Sequence, residues 1–335
     1  MSEFRQNPFT GQWVVMAANR AERPSDFRPS PAQKTGAICP FCRGHEGDTP
    51  EHLLAVSKGL APASLADWDL RVIPNKYPAL TTSPPPASAN GVAGERLPGW
   101  GSQEVIIESA AHRTSTSELS NEEAEALFLV YQLRMKAAAK IQGAKHVVIF
   151  KNVGPGAGAT IEHGHSQLVV LPHVPQNIVR ETQRLGEHRQ SRGSDLWEEV
   201  LAAELRAGSR ILAAGEHVVA LCPYAARWPY EIWLVPREPQ PDYRAERERV
   251  VRECGRLMRE MVARLERAAR PTSYNYLLFS GPLNVAADSP FRWRVELFPR
   301  LTVPAGFEWG AECWMNPVPP EISAVALRAV GQGLP

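Results

Sequence analysis

The chain contains 335 residues, of which 44% are hydrophobic and 22% are charged. This length and composition are typical of a globular protein of about two domains with enough apolar mass for a sizeable core. The formal net charge of +1 excludes a strong overall field that would attract nucleic acid or a membrane surface, so neither is an expected partner.

The sequence also shows no targeting or disulfide signal. No apolar run is long enough to cross a bilayer, and the opening residues, "MSEFRQNPFTGQW", contain no signal-peptide core. The five cysteines are an odd number without regular spacing, which does not suggest the disulfide framework of a secreted protein. These observations predict a cytoplasmic protein.

The first motif along the chain is the cysteine pair Cys39 and Cys42 in "CPFC". Two intervening residues suit either a zinc site or a redox disulfide. A redox pair is expected at the start of a helix, whereas the residues that follow here are typical of a loop. We therefore predict zinc, with a reduced pair without metal as the alternative. Zinc needs two more ligands, and the histidines that could supply them are His45, His52, His112 and His163.

A proline-rich segment, residues 81–94, predicts an exposed loop, because the strand-like sequence "EVIIES" follows it within the same domain. A helix comes next. Ser120 and Glu123 form a capping box at its start, and Gly143 marks its end. The remaining elements of this half are a strand, "KHVVIFKN", a glycine loop and a second strand, "HGHSQLVVLP".

Two histidines one residue apart, His163 and His165, begin that last strand. A two-residue period places both of them, together with Gln167, on one face. Three preceding glycines, at positions 154, 156 and 158, allow the backbone to turn sharply and to approach a ligand closely. A glycine loop followed by imidazoles on one face indicates a phosphate-handling site, and core histidines beside a flexible loop are the structural alternative.

The second half repeats this order of elements. The strand "YEIWLVP", a helix over residues 247–270, the strand "YNYLLFS", a loop and the strand "FRWRVELFPRL" follow one another. We therefore predict an α+β fold of two units, each with a helix packed on a mostly antiparallel sheet. The charged segment 184–195 predicts the boundary between an N-terminal domain, residues 1–185, and a C-terminal domain, residues 195–335.

The second copy lacks histidines on its last strand, where Arg292, Arg294 and Glu296 share one face. This difference predicts one catalytic copy and one degenerate copy. The apolar stripe of the second helix, which includes Cys254 and Met258, is predicted to belong to the core.

These motifs together resemble the galactose-1-phosphate uridylyltransferases, members of the histidine triad superfamily. The resemblance covers nearly the whole chain and implies two tandem histidine-triad-like units. It rests on "NPFTGQWVVMAANRAERP", "CPFC", "NKYPAL", "ESAAHRTSTSELS", "FKNVGPGAGATIEHGHSQ", "WPYEIWLVP" and "FPRLTVPAGFEWG", which follow one another in the family's order.

The resemblance implies roles for individual residues. His165, the second histidine of the family motif, would be the nucleophile, and Gln167 would hold the phosphoryl group. The implied nucleotide contacts are Arg20, Arg23, Asn75, Asn152 and Thr160. The implied ligands of one structural zinc ion are Cys39, Cys42, His112 and His163, so that the resemblance selects two of the four candidate histidines.

The implied reaction converts UDP-glucose and galactose-1-phosphate into glucose-1-phosphate and UDP-galactose through a uridylyl-histidine. A neutral imidazole nucleophile avoids bringing two anions together and divides the exchange into two steps. ADP-glucose phosphorylases, which resemble this framework and move AMP, are the first alternative. A zinc-stabilised nucleotide-binding module without turnover is the second. A histidine triad hydrolase is disfavoured, because a full second domain would exclude water.

Two departures from the family pattern carry expectations. The family motif commonly reads His-Pro-His, whereas Gly164 separates the histidines here. Ser280, Arg294 and Glu296 stand at or near the positions where some members bind a second metal, so no second metal is expected. The resemblance also implies a homodimer whose active sites borrow residues from the partner's C-terminal half, with "AGFEWGAECWMNP" as the candidate region.

Overall fold

The computed structural model describes residues 3–16, 39–82 and 99–331. The strands in these ranges are β1 (Glu3–Gln6), β2 (Trp13–Met16), β3 (Leu54–Val56), β4 (Leu70–Pro74), β5 (Ser102–Ile107), β6 (His146–Val153), β7 (His165–Leu171), β8 (Ile211–Ala214), β9 (Val218–Leu221), β10 (Ile232–Pro236), β11 (Tyr274–Phe279), β12 (Arg294–Pro299) and β13 (Trp314–Asn316). The helices are α1 (Asn121–Ala138), α2 (Gln176–Arg192), α3 (Leu196–Ala207), α4 (Glu248–Ala269), α5 (Gly306–Ala311) and α6 (Pro320–Gly331).

Ten strands form one sheet in the order β3-β4-β5-β7-β6-β11-β12-β10-β9-β8, and each neighbouring pair is antiparallel. The predicted α+β fold with mostly antiparallel strands is confirmed. The first repeat of elements supplies β5, β6 and β7, and the second supplies β10, β11 and β12. The repeats join through the β6–β11 pair, so both contribute to one continuous sheet. A small separate sheet contains β1, β2 and β13, and β13 runs parallel to β2.

The main core lies between one face of the large sheet and the helices α1 and α4, which pack against each other. The apolar stripe predicted on α4 is buried in this core, including Cys254 and Met258. Along β7, Ser166 and Leu168 are buried on the core side. Side chains alternate along a strand, so His165 and Gln167 face the opposite side of the sheet. One face of β7 therefore packs on the core, and the opposite face carries the candidate site.

Helix α1 begins as the sequence predicts. The Ser120 hydroxyl accepts a hydrogen bond from the Glu123 N–H at 3.2 Å, and the Glu123 carboxylate accepts one from the Ser120 N–H at 2.6 Å. The predicted end at Gly143 is wrong, because the α-helix stops at Ala138. Tighter turns occupy the residues between, where Lys140 N donates to Ala137 O, before Gly143 takes a positive φ of 86°.

Specific structures were predicted for two segments of unusual composition, residues 184–195 and the proline-rich residues 81–94. Residues 184–195, predicted as a domain boundary, are helical as far as Arg192, where α2 ends at Gly193 with a positive φ of 71°. The division into residues 1–185 and 195–335 stays a prediction. Most of the proline-rich segment lies outside the described residues, as do all residues from 83 to 98. None of the helices in the described part of the chain combines the length and the apolar character needed to cross a bilayer.

Candidate active site and metal centre

Two cysteines and two histidines from separate parts of the chain come together beside β7. Cys39 and Cys42 lie in the loop before β3, His112 lies in the loop after β5, and His163 lies two residues before β7. Their ligand atoms all lie within 4.8 Å of one another. His45 instead lies near Asp48, with Nδ1 at 3.5 Å from the carboxylate. Within the described residues, the four side chains named by the family resemblance are thus the ones that converge.

The spacing of these atoms fits a tetrahedral zinc ion. Bonds of about 2.3 Å to sulfur and about 2.1 Å to nitrogen place neighbouring sulfur and nitrogen ligands about 3.6 Å apart. Cys39 Sγ and Cys42 Sγ both lie 3.5 Å from His163 Nδ1, and Cys42 Sγ lies 3.4 Å from His112 Nδ1. A set of two thiols and two imidazoles is also a common donor set for structural zinc. The cluster could therefore bind a metal ion and is compatible with zinc.

The orientation of His163 suits a metal ligand. Its Nε2 lies 2.8 Å from the carbonyl oxygen of Ser109, and a carbonyl can only accept, so Nε2 carries the proton. Nδ1 is then the unprotonated nitrogen and faces the cysteines. Burial lowers the pKa of His163 to about 4, which keeps its ring neutral. Burial, with Cys39 nearby, raises the pKa of the Cys42 thiol to about 11, so this thiol resists ionisation unless a cation balances its charge.

His165 has the opposite tautomer to His163. Its Nδ1 lies 2.8 Å from the backbone carbonyl of His163 and must donate, which leaves the lone pair of Nε2 free. The ring is 9% exposed, and Phe41 packs edge-on against it at a centroid distance of 5.2 Å. The site therefore offers an oriented and nearly buried imidazole with one reactive nitrogen.

The charge state of His165 follows from its surroundings. Burial lowers the pKa of this imidazole below its usual value. The His163 carbonyl and the Glu108 carboxylate oppose that effect, and the Lys151 ammonium adds to it. A lowered pKa leaves the ring neutral at pH values near 7, which is the form that can act as a nucleophile.

Other residues of the predicted site share the face of the sheet that carries His165. Gln167 lies two residues along β7 and pairs with Phe150 of β6. Lys151 pairs with Ser166, so the following residue, Asn152, lies opposite His165 across the two strands. Asn152 and Gln167 are both half-buried, and no described residue hydrogen-bonds the Gln167 amide. The register thus aligns one imidazole and two amides on a partly open surface.

The glycine loop follows β6 directly. Gly154 has a positive φ of 77°, and a Cβ added to it would lie 2.2 Å from the carbonyl oxygen of Thr272. Only glycine fits this close approach. Gly158, also at positive φ, lies beside the Asn152 amide, from which an added Cβ would be 3.8 Å. The loop therefore runs past Asn152 toward the two histidines.

Of the other predicted contacts, Asn75 lies away from His165. Asn75 lies four residues beyond Arg71, which shares a cross-strand row with Ile107 and His165, so it is displaced about 14 Å along the strands. Its Oδ1 accepts a hydrogen bond from the Tyr77 N–H at 2.9 Å, as in an ordinary turn. Thr160 is exposed in the loop before His163. Arg20 and Arg23 lie outside the described residues.

A buried ion pair behind the histidines was not predicted from the sequence. The Lys151 ammonium contacts the Glu108 carboxylate and donates to Thr116 Oγ1 at 2.9 Å. The Lys151 and Glu108 side chains are 0% and 2% exposed. A signal was available: Lys151 follows Val147 and Ile149 on the core face of β6, where a charged residue is unusual.

In the second unit, a guanidinium occupies the face that corresponds to the histidine face. Arg294 donates to Glu181 at 2.7 Å and 3.0 Å and to Glu296 at 2.7 Å, and all three side chains are buried. Arg227 also contacts Glu296. The carboxylates are therefore already paired with cations from the chain itself, and the expectation that no second metal binds stays a prediction.

Two family profiles match the chain. The profile described as "Galactose-1-phosphate uridyl transferase, N-terminal domain" matches residues 1–175. The profile described as a domain of unknown function, DUF4921, matches residues 107–329. Together they span both units of the sheet.

Similarity to individual proteins extends over nearly the whole chain. The ADP-glucose phosphorylase of Arabidopsis thaliana is 29% identical over 335 residues, which cover 98% of this chain and 93% of that protein. The galactose-1-phosphate uridylyltransferase of Thermotoga maritima is 26% identical over 337 residues, which cover 98% of each. The crystal structure of the Arabidopsis ADP-glucose phosphorylase with bound ADP-glucose has a TM-score of 0.83 and 28% identity, covering 98% of this chain and 99% of that one.

Proposed function

Because the chain belongs to the galactose-1-phosphate uridyl transferase family, we propose that it transfers a nucleotidyl group from a nucleotide sugar through a covalent bond to His165. The observation that carries this proposal is the orientation of the imidazole. Nδ1 is held by the His163 carbonyl at 2.8 Å, and Nε2 keeps a free lone pair on the partly open face of the sheet. A buried, neutral ring in this position is a suitable nucleophile for phosphorus.

In the first half-reaction, Nε2 of His165 attacks the α-phosphorus of the nucleotide sugar. A nitrogen–phosphorus bond forms, the bond from phosphorus to the bridging oxygen breaks, and the sugar-1-phosphate leaves with that oxygen. The ring acquires positive charge while its Nδ1–H remains bonded to the His163 carbonyl. In the second half-reaction, a phosphate oxygen of the acceptor attacks the same phosphorus, and the bonding pair returns to Nε2. No proton has to be gained or lost overall.

Neighbouring groups support the anionic oxygens. Gln167 can donate to a phosphoryl oxygen without protonating it, and the glycine loop adds backbone N–H groups. Arg20 and Arg23 are proposed to offset phosphate charge, and Asn75, Asn152 and Thr160 to contact the nucleotide. A zinc ion held by the Cys39 cluster would have a structural part, because it fixes His163 and with it the carbonyl that orients His165.

ADP-glucose is the donor that we place first, with inorganic phosphate as the acceptor. This choice is supported by the higher identity to the Arabidopsis ADP-glucose phosphorylase, 29% against 26% for the Thermotoga uridylyltransferase. UDP-glucose with galactose-1-phosphate is the second candidate, because it is the reaction that the family resemblance implies. Both use the same step at His165 and differ in base and acceptor.

Labelling tests the proposal directly. The protein is incubated with ADP-glucose or UDP-glucose that carries radioactive phosphorus at the α position, and acid-labile label on the protein is measured. We expect label from one donor, and chase with phosphate or galactose-1-phosphate should release it as the corresponding nucleotide. His165→Asn should remove the label. His173→Ala, which replaces an exposed histidine just after β7, is the control and should keep it.

Each outcome is decisive for one part of the proposal. Label that persists in His165→Asn would assign the nucleophile to another residue. Absence of label with both donors, despite nucleotide binding, would favour a zinc-stabilised binding module without turnover. Label from UDP-glucose alone would replace the preferred donor and keep the covalent step.

The family resemblance also leads us to propose a homodimer. The candidate contact region includes α5, on which Trp309 is 74% exposed and Phe307 is 43% exposed. Light scattering coupled to size-exclusion chromatography should give twice the chain mass of 37.0 kDa. A monomer that is fully active would contradict the shared active site.

A further inference from the structure

An asparagine of the second unit reaches the candidate active site of the first. Asn275 on β11 pairs with Asn152 on β6, and Asn152 lies opposite His165 on β7. Directly opposite residues of antiparallel strands point to the same face. Asn275, Asn152 and His165 therefore form one row across three strands.

The hydrogen bonds of Asn275 fix which way its amide is turned. Its side-chain nitrogen donates to the backbone carbonyl of Ala157 at 3.0 Å. A carbonyl can only accept, so the group that faces it must be the NH2 group. The same nitrogen lies 2.7 Å from the Asn152 side chain, and its second hydrogen points there.

The orientation of Asn152 follows from that of Asn275. The atom of Asn152 that faces a donor must be the acceptor Oδ1, so Nδ2 is turned away from Asn275. No described protein group accepts a hydrogen bond from Asn152 Nδ2, which lies beside Gly158 of the glycine loop. Asn152 Nδ2 is therefore free to donate a hydrogen bond to a ligand bound beside the glycine loop. An oxygen of a nucleotide could accept it.

We propose that Asn275 is a positioning residue for nucleotide binding, which acts by fixing Asn152 with its NH2 group toward the nucleotide. The inference rests on the proposed nucleotidyl-transfer site. It also explains how the second unit contributes to the site although its last strand carries no histidine. Through Asn275 on β11, the second unit determines which end of the Asn152 amide faces the nucleotide.

The glycine loop has other anchors, so replacing Asn275 need not release it. Gly156 N donates to Ser273 Oγ at 3.0 Å, and Gly154 packs closely against Thr272 O. An effect that passes through Asn152 can therefore be separated from a general loosening of the loop.

A double-mutant cycle in the full-length protein makes this separation. The variants are Asn152→Ala, Asn275→Ala and the double variant, and Asn284→Ala, an exposed asparagine of the second unit, is the control. The dissociation constants of ADP and UDP are measured by calorimetry. We expect Asn152→Ala to weaken binding of the preferred nucleotide about 10-fold or more, since a hydrogen bond to a charged group is lost. Asn275→Ala should weaken it several-fold in the natural background and have no further effect when Asn152 is already alanine.

An equal loss from Asn275→Ala in both backgrounds would overturn the inference, because Asn275 would then act on the loop without Asn152. No loss of nucleotide affinity in either background would overturn it as well.

Asn275→Asp supplies a second test. Its carboxylate can only accept, so it would draw Asn152 Nδ2 toward itself and turn Oδ1 toward the nucleotide. Nucleotide binding should be weaker in Asn275→Asp than in Asn275→Ala, and the reverse order would contradict the proposed polarity.

The labelling experiment distinguishes failure of this inference from failure of the proposed function. If the wild type is labelled but the effects of the Asn152 and Asn275 substitutions are additive, only the role of Asn275 is wrong. If the wild type binds nucleotide without being labelled and the two effects are not additive, the role of Asn275 stands and covalent transfer is wrong.

Discussion

The backbone N–H of Gly164 donates to the carbonyl oxygen of Arg113 at 2.6 Å. The Gly164 carbonyl accepts from Glu108 N at 3.2 Å. These two bonds connect the residue between His163 and His165 to the loop that carries His112. Proline, which the family resemblance leads us to expect at this position, has no N–H and could not make the bond to Arg113 O.

Gly164→Pro should impair both stability and labelling. It removes the bond to Arg113 O and brings the proline ring against that oxygen, so we expect a loss of about 1–3 kcal/mol in the free energy of unfolding. Gly164→Ala is the matched control, because it keeps the N–H and places a Cβ 3.1 Å from Arg113 O. Chemical denaturation and the labelling rate measure the two effects. A proline variant as stable as the alanine variant would show that this bond contributes little.

The buried ion pair of Lys151 and Glu108 predicts that the free energy of unfolding depends strongly on both residues. Lys151→Met leaves a carboxylate buried without its cation and should cost about 3–5 kcal/mol of unfolding free energy. Lys151→Met combined with Glu108→Gln should recover a large part of that loss, because no charge then remains uncompensated. Arg180→Met, at an exposed ion pair with Glu312, is the control and should change stability by less than about 1 kcal/mol. Equal losses in the single and double variants would mean that packing, not charge, dominates.

Metal analysis tests the cysteine–histidine cluster and the second unit together. We expect about one zinc ion per chain, lost in Cys39→Ser and Cys42→Ser and retained in Cys222→Ala, whose cysteine lies outside the cluster. Removal of zinc by a chelator should lower the melting temperature and the labelling rate together, since His163 loses its anchor.

A second bound metal is not expected even in excess, because Arg294 already pairs with Glu181 and Glu296. A stoichiometry near two that survives Cys39→Ser would contradict this assignment.

His146 predicts a specific loss of stability in acid. Burial lowers its pKa to about 4, with a contribution from His173. An unfolded histidine titrates near pH 6.5, so below that value the unfolded state binds a proton that the folded state does not. Stability is therefore full above about pH 6.5 and declines toward pH 4, by about 2 kcal/mol between pH 7.5 and pH 5. His146→Leu should remove this part of the pH dependence, as measured by urea denaturation at both pH values. An unchanged slope would assign the acid sensitivity to other groups.

The sequence predicted most elements of the two repeats, because their hydrophobic periods are regular. The capping box at Ser120 and the buried stripe around Met258 are local patterns that the structure confirms. The predicted end of α1 at Gly143 is wrong, since Gly143 closes a series of short turns and not the helix itself. Helix α2 was not predicted, because its N-cap residue, Pro175, makes no side-chain cap bond and one of its three buried residues, Glu181, is charged.

The site was less accessible to prediction where it depends on long-range register. The motif around His165 and the cysteine pair could be found along the chain. The partnership of Asn275 with Asn152, 123 residues apart, depends on the pairing of β6 with β11. The pair of Glu108 with Lys151 joins the residue just after β5 to β6, and β7 lies between these two strands in the sheet. No local pattern encodes such contacts.

The antiparallel junction of β6 and β11 has an evolutionary consequence. Two equivalent strands that pair in antiparallel orientation are related by an approximate twofold axis, as at the contact between two identical subunits. Once such subunits become one polypeptide, selection no longer has to preserve two reactive centres. One copy can keep the imidazole, while the other is free to accumulate arginine and glutamate and to serve its neighbour as a scaffold.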